Sequence, residues 1–145
     1  MKRGLFFPLL LLISLPLWPQ VNVFDESLSF VGMGLDELIE RFGPPKSVAA
    51  VRGNELWQDD VVFQYSEGDF YIHRDRVWQV RLVSALGVSN RDRKSVVLLA
   101  LGSSVEDRGD HLLLPISGNN WPLMLKVNVN NSGLVTDIFI YRSDF

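Results

Sequence analysis

The chain has 145 residues, with 14 Lys and Arg against 17 Asp and Glu, and a formal net charge of −3. This acidic balance argues against a nucleic-acid-binding protein, which needs a basic surface to meet phosphates. The chain has no Cys, which excludes disulfides, thiolate metal sites and a lipid attached through cysteine.

The N-terminus has the composition of an export signal. Two basic residues precede an almost wholly apolar run at positions 4–18. The run has the length of a signal-peptide core and is shorter than the roughly 20 residues of a spanning helix. Pro8 and Pro16 further disfavour such a helix. We predict a signal peptide at residues 1–20, with an uncleaved anchor as the alternative because no small-residue cleavage triplet follows.

Residues 21–84 predict one helix followed by a β-meander. Apolar residues recur at helical spacing, at Leu35, Leu38, Ile39 and Phe42. Gly43 and the two prolines after it end this helix. Short β-like runs separated by turn residues then predict antiparallel strands, at 47–51, 55–58, 61–65, 69–73 and 77–83.

Residues 85–145 predict a second unit of the same kind. Ser89, with Asp92 three residues later, resembles a capping box and predicts a helix that ends before Gly102. Its C-terminal half, 96–101, is apolar on all sides, so we expect this to be the more buried helix. Strands are predicted at 112–116, 123–129 and 135–142, with a hairpin loop at 130–133.

The two units align along their length. Residues 77–82 match 135–140 at an offset of 58 positions, and Gly43 matches Gly102 at 59, whereas the helical parts differ by about four residues. We therefore predict an α+β fold of two tandem helix-plus-antiparallel-meander repeats. The repeats, 21–84 and 85–145, should pack as one unit with both helices on one face of the sheet.

The motif at 32–45 reads Gly-Met-Gly-Leu-Asp-Glu-Leu-Ile-Glu-Arg-Phe-Gly-Pro-Pro, and hairpins and Asp-Arg-Val-Trp-Gln-Val follow it. It resembles the SmpA/OmlA-like module of outer-membrane assembly lipoproteins. The matching positions are Gly32, Met33, Leu38, Phe42, Gly43, Pro45 and Val77. Two such modules in tandem look like the arrangement of β-lactamase-inhibitor protein, which implies helices on one face of an antiparallel sheet. The second copy lacks the Gly-Met and Gly-x-Pro elements.

No motif indicates catalysis. His73 and His111 are the only histidines, and no nucleophile elbow, zincin helix or phosphate loop is present. We interpret both histidines as ordinary strand and turn residues, and predict a protein that is not an enzyme and has no cofactor or metal. Four acidic residues form the densest cluster and favour turn chemistry, with a weak calcium site as the alternative; they are Asp59, Asp60, Glu67 and Asp69.

Strand alternation assigns the residues of the last strand of each copy to two faces. We assign to the helix-covered core Trp78, Val80, Leu82, Thr136, Ile138 and Ile140. The opposite face then receives Val77, Gln79, Arg81, Val135, Asp137, Phe139 and Tyr141. Aromatic residues mixed with Arg are typical of protein-binding surfaces. The predicted partner-binding residues are Trp57, Tyr71, His73, Gln79, Arg81, Asp137, Phe139 and Tyr141.

Two alternatives remain for this face. The N-terminal segment or a second copy of the chain covers it, or the register is off by one residue, which would exchange the two sets.

The predicted function is that of an exported binding protein of the bacterial cell envelope or periplasm, holding a protein or peptide on its open sheet face. Nucleic acid is not expected as a partner, and a membrane is expected only if the N-terminal segment is retained. One alternative is a structural accessory of outer-membrane assembly or maintenance, anchored by that segment. The other is a hydrolase with an unrecognised site.

Overall fold

An eight-stranded antiparallel sheet dominates the fold. The computed structural model describes residues 25–52, 60–117 and 119–144. The first part of the described chain forms a 3-10 turn (Glu26–Ser29), α1 (Leu35–Phe42), β1 (Ser47–Val51), β2 (Asp60–Gln64), β3 (Gly68–His73) and β4 (Arg76–Leu82). The second part forms β5 (Ser84–Ala85), β6 (Val88–Ser89), α2 (Lys94–Leu101), β7 (Glu106–Asp107), β8 (His111–Ile116), β9 (Leu123–Val129) and β10 (Val135–Arg142). The predicted α+β class is confirmed.

Several predictions lie outside the described residues. They are the N-terminal signal segment, the strand at 55–58, the candidate binding residue Trp57 and Asp59 of the acidic cluster. Among the described helices, none has the length and apolar character needed to span a bilayer.

The strand order places β4 and β10 together in the middle of the sheet. The order is β1-β2-β3-β4-β10-β9-β8-β7, and β5 and β6 form a separate small hairpin. Where β4 meets β10, Val80 lies opposite Ile140, and both side chains are fully buried. The same core cluster contains Leu38 of α1 and Val97 of α2. Both helices therefore pack on one face of the sheet.

Helix α1 follows the predicted apolar stripe. Leu38 is fully buried, and Phe42 contacts the rings of Phe30 and Phe70 at centroid distances of 5.4 and 5.5 Å. Acidic residues in its first turn suit the helix dipole. The helix ends at Gly43 as predicted, because that residue has φ 76° and ψ −165°, a conformation almost restricted to glycine.

Helix α2 begins at Lys94 with Arg93 as its N-cap, four residues after the predicted N-cap Ser89, so the predicted start was wrong. Asp92 does accept a hydrogen bond from the Ser89 amide, at 2.7 Å, but this contact closes a turn outside the helix. The backbone at 91–92 is instead bonded to Val135 at the start of β10, which holds it out of helical conformation. With this start, the helices align at a uniform offset of 59, and the four-residue difference disappears.

The prediction that α2 is the more buried helix was also wrong. Val97 faces the core at 1 % exposure, whereas Val96 and Leu99 are 52 % and 85 % exposed. An apolar sequence on all sides does not bury a helix that has only one face against the sheet.

The two halves share local backbone geometry before and after each helix. Both helices end at a glycine with positive φ, 76° at Gly43 and 81° at Gly102. Two residues before each helix form backbone hydrogen bonds with the start of the last strand in the same half. In the first half, Gly32 N donates to Val77 O (2.7 Å) and Val77 N donates to Met33 O (2.9 Å). In the second half, Arg91 N donates to Val135 O (2.9 Å) and Val135 N donates to Asp92 O (2.9 Å).

A β-bulge interrupts β4, and another interrupts β10. On β4, Tyr71 pairs with Gln79 while Ile72 pairs with Val77, so Trp78 is the extra residue. On β10 the register shifts between Val135 and Asp137, which makes Thr136 the extra residue.

The bulges correct four face assignments. Val77 and Val135 are core residues at 0 % and 2 % exposure, although they were assigned to the open face. Trp78 and Thr136 lie on the opposite face, although they were assigned to the core. An extra residue in one strand reverses the facing of every residue before it, so alternation counted through the bulge fails there.

Candidate functional site

The side of the sheet opposite α1 and α2 is called the outer face here, and the strand register arranges its residues in rows. One row consists of Val62, Tyr71, Gln79, Tyr141, Met124 and Pro115. The next row consists of Gln64, Asp69, Arg81, Phe139, Lys126 and Leu113. Val62 is only 3 % exposed, so the accessible part of the first row begins at β3.

Arg81 is the charged centre of the outer face. Its guanidinium lies 2.7 Å from a carboxylate oxygen of Asp137 and 3.2 Å from one of Asp69. Burial alone would lower the pKa of Arg81, but the hydrogen bonds to Asp137 and Asp69 outweigh it and raise that pKa. The arginine side chain is 46 % exposed, so each pair adds at most about 1 kcal/mol to stability. The main effect of the two ion pairs is to fix the orientation of the guanidinium across β3, β4 and β10.

Aromatic side chains lie around this centre. The rings of Tyr71 and Trp78 meet edge to face with centroids 6.5 Å apart, and the Trp78 indole donates to an Asp60 carboxylate oxygen at 3.2 Å. Phe139 and Tyr141, both from β10, are half-buried. Burial raises the pKa of Tyr71 and of Tyr141, so both phenols are uncharged at neutral pH.

The structure brings most of the predicted binding residues together. Five of them share the two rows, namely Tyr71, Gln79, Arg81, Phe139 and Tyr141. Asp137 lies two residues before Phe139 on β10 and is paired with Arg81. His73 is on the same side at the end of β3, next to the β3–β4 turn. Their role in binding stays a prediction.

Sequence reasoning missed Trp78 on this face. The aliphatic residues of β4 are Val77, Val80 and Leu82, at spacing i, i+3, i+5, and β10 repeats that spacing at 135, 138 and 140. A break in two-residue alternation at one point is the pattern of a bulge. That signal was available in both copies.

The second histidine, His111, pairs with the residue before it in the sequence. The Nδ1 atom of His111 lies 2.7 Å from a carboxylate oxygen of its neighbour Asp110, whose side chain is 84 % exposed. The hydrogen bond from His111 lowers the pKa of Asp110. Within the described ranges, no three His, Asp or Glu side chains group closely enough to hold a metal ion.

No protein-family model and no curated protein sequence matches the chain. Solved structures with a similar fold include an extracellular protein containing a SCP domain from Bacillus anthracis str. Ames, with 12% sequence identity and a TM-score of 0.51. That match covers 81% of this chain and 45% of the other. A cysteine-rich secretory protein from Staphylococcus aureus subsp. aureus Mu50 has 12% identity and a TM-score of 0.48, over 80% and 46% of the two chains.

The chain thus spans less than half the length of these two proteins. At 12% identity the likeness to the first shows the fold alone. The resemblance to SmpA/OmlA-like modules stays a prediction.

Proposed function

We propose that the chain is an exported, non-catalytic binding protein of the bacterial cell envelope that holds a protein or peptide on its outer face. One observation carries the proposal: half-buried aromatic side chains surround the ion-paired Arg81 on the sheet side opposite both helices. Buried aromatic anchors with a central arginine are the composition of binding hot spots. The N-terminal sequence pattern favours export, and the B. anthracis protein of similar fold is extracellular.

Binding by this surface requires little rearrangement. The anchors lie on β3, β4 and β10, which are internal strands of the sheet and have hydrogen-bonded neighbours on both sides. A partner would desolvate the aromatic rings, while Arg81 and Gln79 supply polar contacts already held in place. Anchors fixed before binding lose less conformational entropy when the complex forms.

We also infer that the fold arose from two copies of one module, α1 to β4 and α2 to β10. The uniform helix offset, the glycine ends, the docking contacts and the two bulges all support this inference.

The equivalent strands β4 and β10 differ where a partner would contact them. At the offset of 58, their core residues are alike: Val77 and Val135, Val80 and Ile138, Leu82 and Ile140. Their outer-face residues are unlike: Gln79 and Asp137, Arg81 and Phe139. The repeated core therefore presents an outer face whose two halves differ in chemistry.

The test is a loss of binding without a loss of folding. Peptides are selected against the purified full chain from a displayed library, and their affinity is measured by calorimetry. We expect Phe139→Ala with Tyr141→Ala to weaken binding at least about tenfold, since hot-spot truncations cost more than about 1 kcal/mol each. The matched control is Val48→Ala with Val61→Ala, two apolar side chains of β1 and β2 that are 58% and 43% exposed.

Three results would contradict the proposal. The outer-face variant binds as tightly as the parent chain, the control loses affinity to the same extent, or the outer-face variant unfolds. The last result would place Phe139 and Tyr141 in the core. If the outer-face variant loses affinity as expected, a photo-crosslinking residue at position 139, used in the native envelope, identifies the natural partner.

A further inference from the structure

The outward side of α2 is apolar where the outward side of α1 is acidic. At the offset of 59, Val96 and Leu99 occupy the positions of Glu37 and Glu40, and all four side chains are exposed. The core-facing positions are apolar in both helices. Because α1 builds the same helix with glutamates, the fold does not require valine and leucine at these places. Leu99 exposes 85% of its surface, an unfavourable arrangement in water.

Two exposed arginines stand just before this apolar helix in the sequence. Arg91 and Arg93 precede α2 directly, and both side chains are exposed. Neither forms an ion pair with any residue of the described ranges, whereas the neighbouring Lys94 lies 2.6 Å from Asp107. Exposed apolar residues beside uncommitted cations are typical of helices that lie on a membrane surface. The cations there meet anionic headgroups.

The chain also carries an apolar run at 4–18, and a short stretch joins it to Asp25, a residue bonded to the hairpin before α2. The carboxylate of Asp25 accepts a hydrogen bond from the amide of Leu86, in the β5–β6 hairpin that leads to α2. Only residues 19–24 separate Asp25 from the apolar run at 4–18. Six extended residues span at most about 22 Å. A bilayer holding that run would therefore lie within reach of this hairpin.

We propose that the outward side of α2 rests on a bilayer surface that contains anionic lipid. Val96 and Leu99 enter the headgroup boundary, and Arg91 and Arg93 contact lipid phosphates. Two apolar side chains and two cations bind a bilayer weakly alone, so in the chain that retains the apolar run as an anchor this contact acts as a second signal. The outer face of the sheet then points away from the membrane. The inference does not depend on the proposed partner-binding function, because it uses the opposite side of the molecule.

The absence of Cys makes a single-cysteine reporter specific. An environment-sensitive fluorophore is attached at Ala100→Cys, an exposed position beside Leu99 on α2, in the full chain. The control label is at Val48→Cys on β1, 58% exposed in the other half. Each protein is mixed with phosphatidylcholine vesicles with or without phosphatidylglycerol. We expect the label at 100 to shift to the blue and to be quenched by lipid-borne spin labels on the anionic vesicles, with no change at 48.

Two sets of variants test the mechanism. Val96→Glu with Leu99→Glu reproduces the outward side of α1, so it should fold with an unchanged melting temperature and abolish the response at 100. Replacing each arginine by glutamine should weaken the response about fivefold, since one cation near an anionic surface contributes about 1 kcal/mol.

The proposal fails if the label at 100 stays in water while the chain is bound to vesicles, or if the chain does not bind them. It fails equally if the double glutamate variant responds like the parent. A blue shift that depends on protein concentration without vesicles would assign the surface to a second copy of the chain instead.

Discussion

At the scale of single residues, Asp25 joins the start of the described chain to the second half. One carboxylate oxygen caps the 3-10 turn by accepting from the Ser27 amide at 2.9 Å, and the other accepts from the Leu86 amide. Leu86 has φ 53°, an uncommon conformation that this bond helps to hold. Burial opposes the charge of Asp25, but its hydrogen bonds outweigh burial and lower its pKa.

The lowered pKa of Asp25 gives a stability that depends on pH. A carboxyl group whose pKa is lower in the folded state stabilises the fold fully above its unfolded pKa of 3.8, and this contribution is lost as the pH falls through the folded value. We expect Asp25→Ala to lower the free energy of unfolding by about 1 kcal/mol at pH 7. In urea unfolding, parent and variant should converge below the folded pKa. A difference that is the same at every pH would contradict this account.

At the scale of elements, the sequence predicted the helix ends and strand bounds that depend on residues close together in the chain. The bounds of β1, β9 and β10 and both glycine helix ends agree with the structure. Prediction failed where a contact distant in sequence overrides a local pattern. The contact between Ser89 and Asp92 formed, yet pairing of the adjacent backbone with Val135 kept it outside α2.

The contact before α1 depends on a close approach between the two halves. Gly32 has φ 95°, and a Cβ placed there would lie 2.2 Å from the indole nitrogen of Trp121. The Arg142 guanidinium also contacts Trp121 and lies 4.0 Å from its ring centroid. Gly43, with φ 76°, has no atom within 4 Å of such a Cβ. The two glycines therefore separate backbone strain from steric overlap.

Alanine substitutions at these glycines should have unequal costs. Gly43→Ala introduces backbone strain alone, about 1–3 kcal/mol. Gly32→Ala adds the displacement of Trp121, so its loss in unfolding free energy should be larger by about 1–3 kcal/mol. Urea denaturation measures both, and the near-ultraviolet circular dichroism of Trp121 should change only in Gly32→Ala. Equal losses would show that Trp121 moves aside without cost.

At the scale of the whole molecule, the two halves share one hydrophobic core. Val80 and Ile140 meet across the central strands, and the cluster continues to Leu38 and Val97 under the helices. Packing as one unit was a prediction from the sequence, but the meeting of β4 with β10 was not, because partners so distant in the chain leave no local signal.

For the outer face, alternation placed Gln79, Arg81 and the β10 residues after the bulge correctly, and it failed only at and before each bulge.

A shared core predicts that the halves unfold together. Leu38 is fully buried in α1, so Leu38→Ala should cost about 2–5 kcal/mol. Fluorescent labels at Ser66→Cys and Ser132→Cys, exposed turn positions in the first and second halves, report each half separately. We expect both labels to give the same urea midpoint in the parent, and both midpoints to fall together in Leu38→Ala. Val97→Ala, on the other helix, should likewise lower both midpoints, by a smaller amount because it removes fewer carbon atoms. If Leu38→Ala lowers the midpoint only at position 66, the halves are separate folding units and the core between them contributes little to stability.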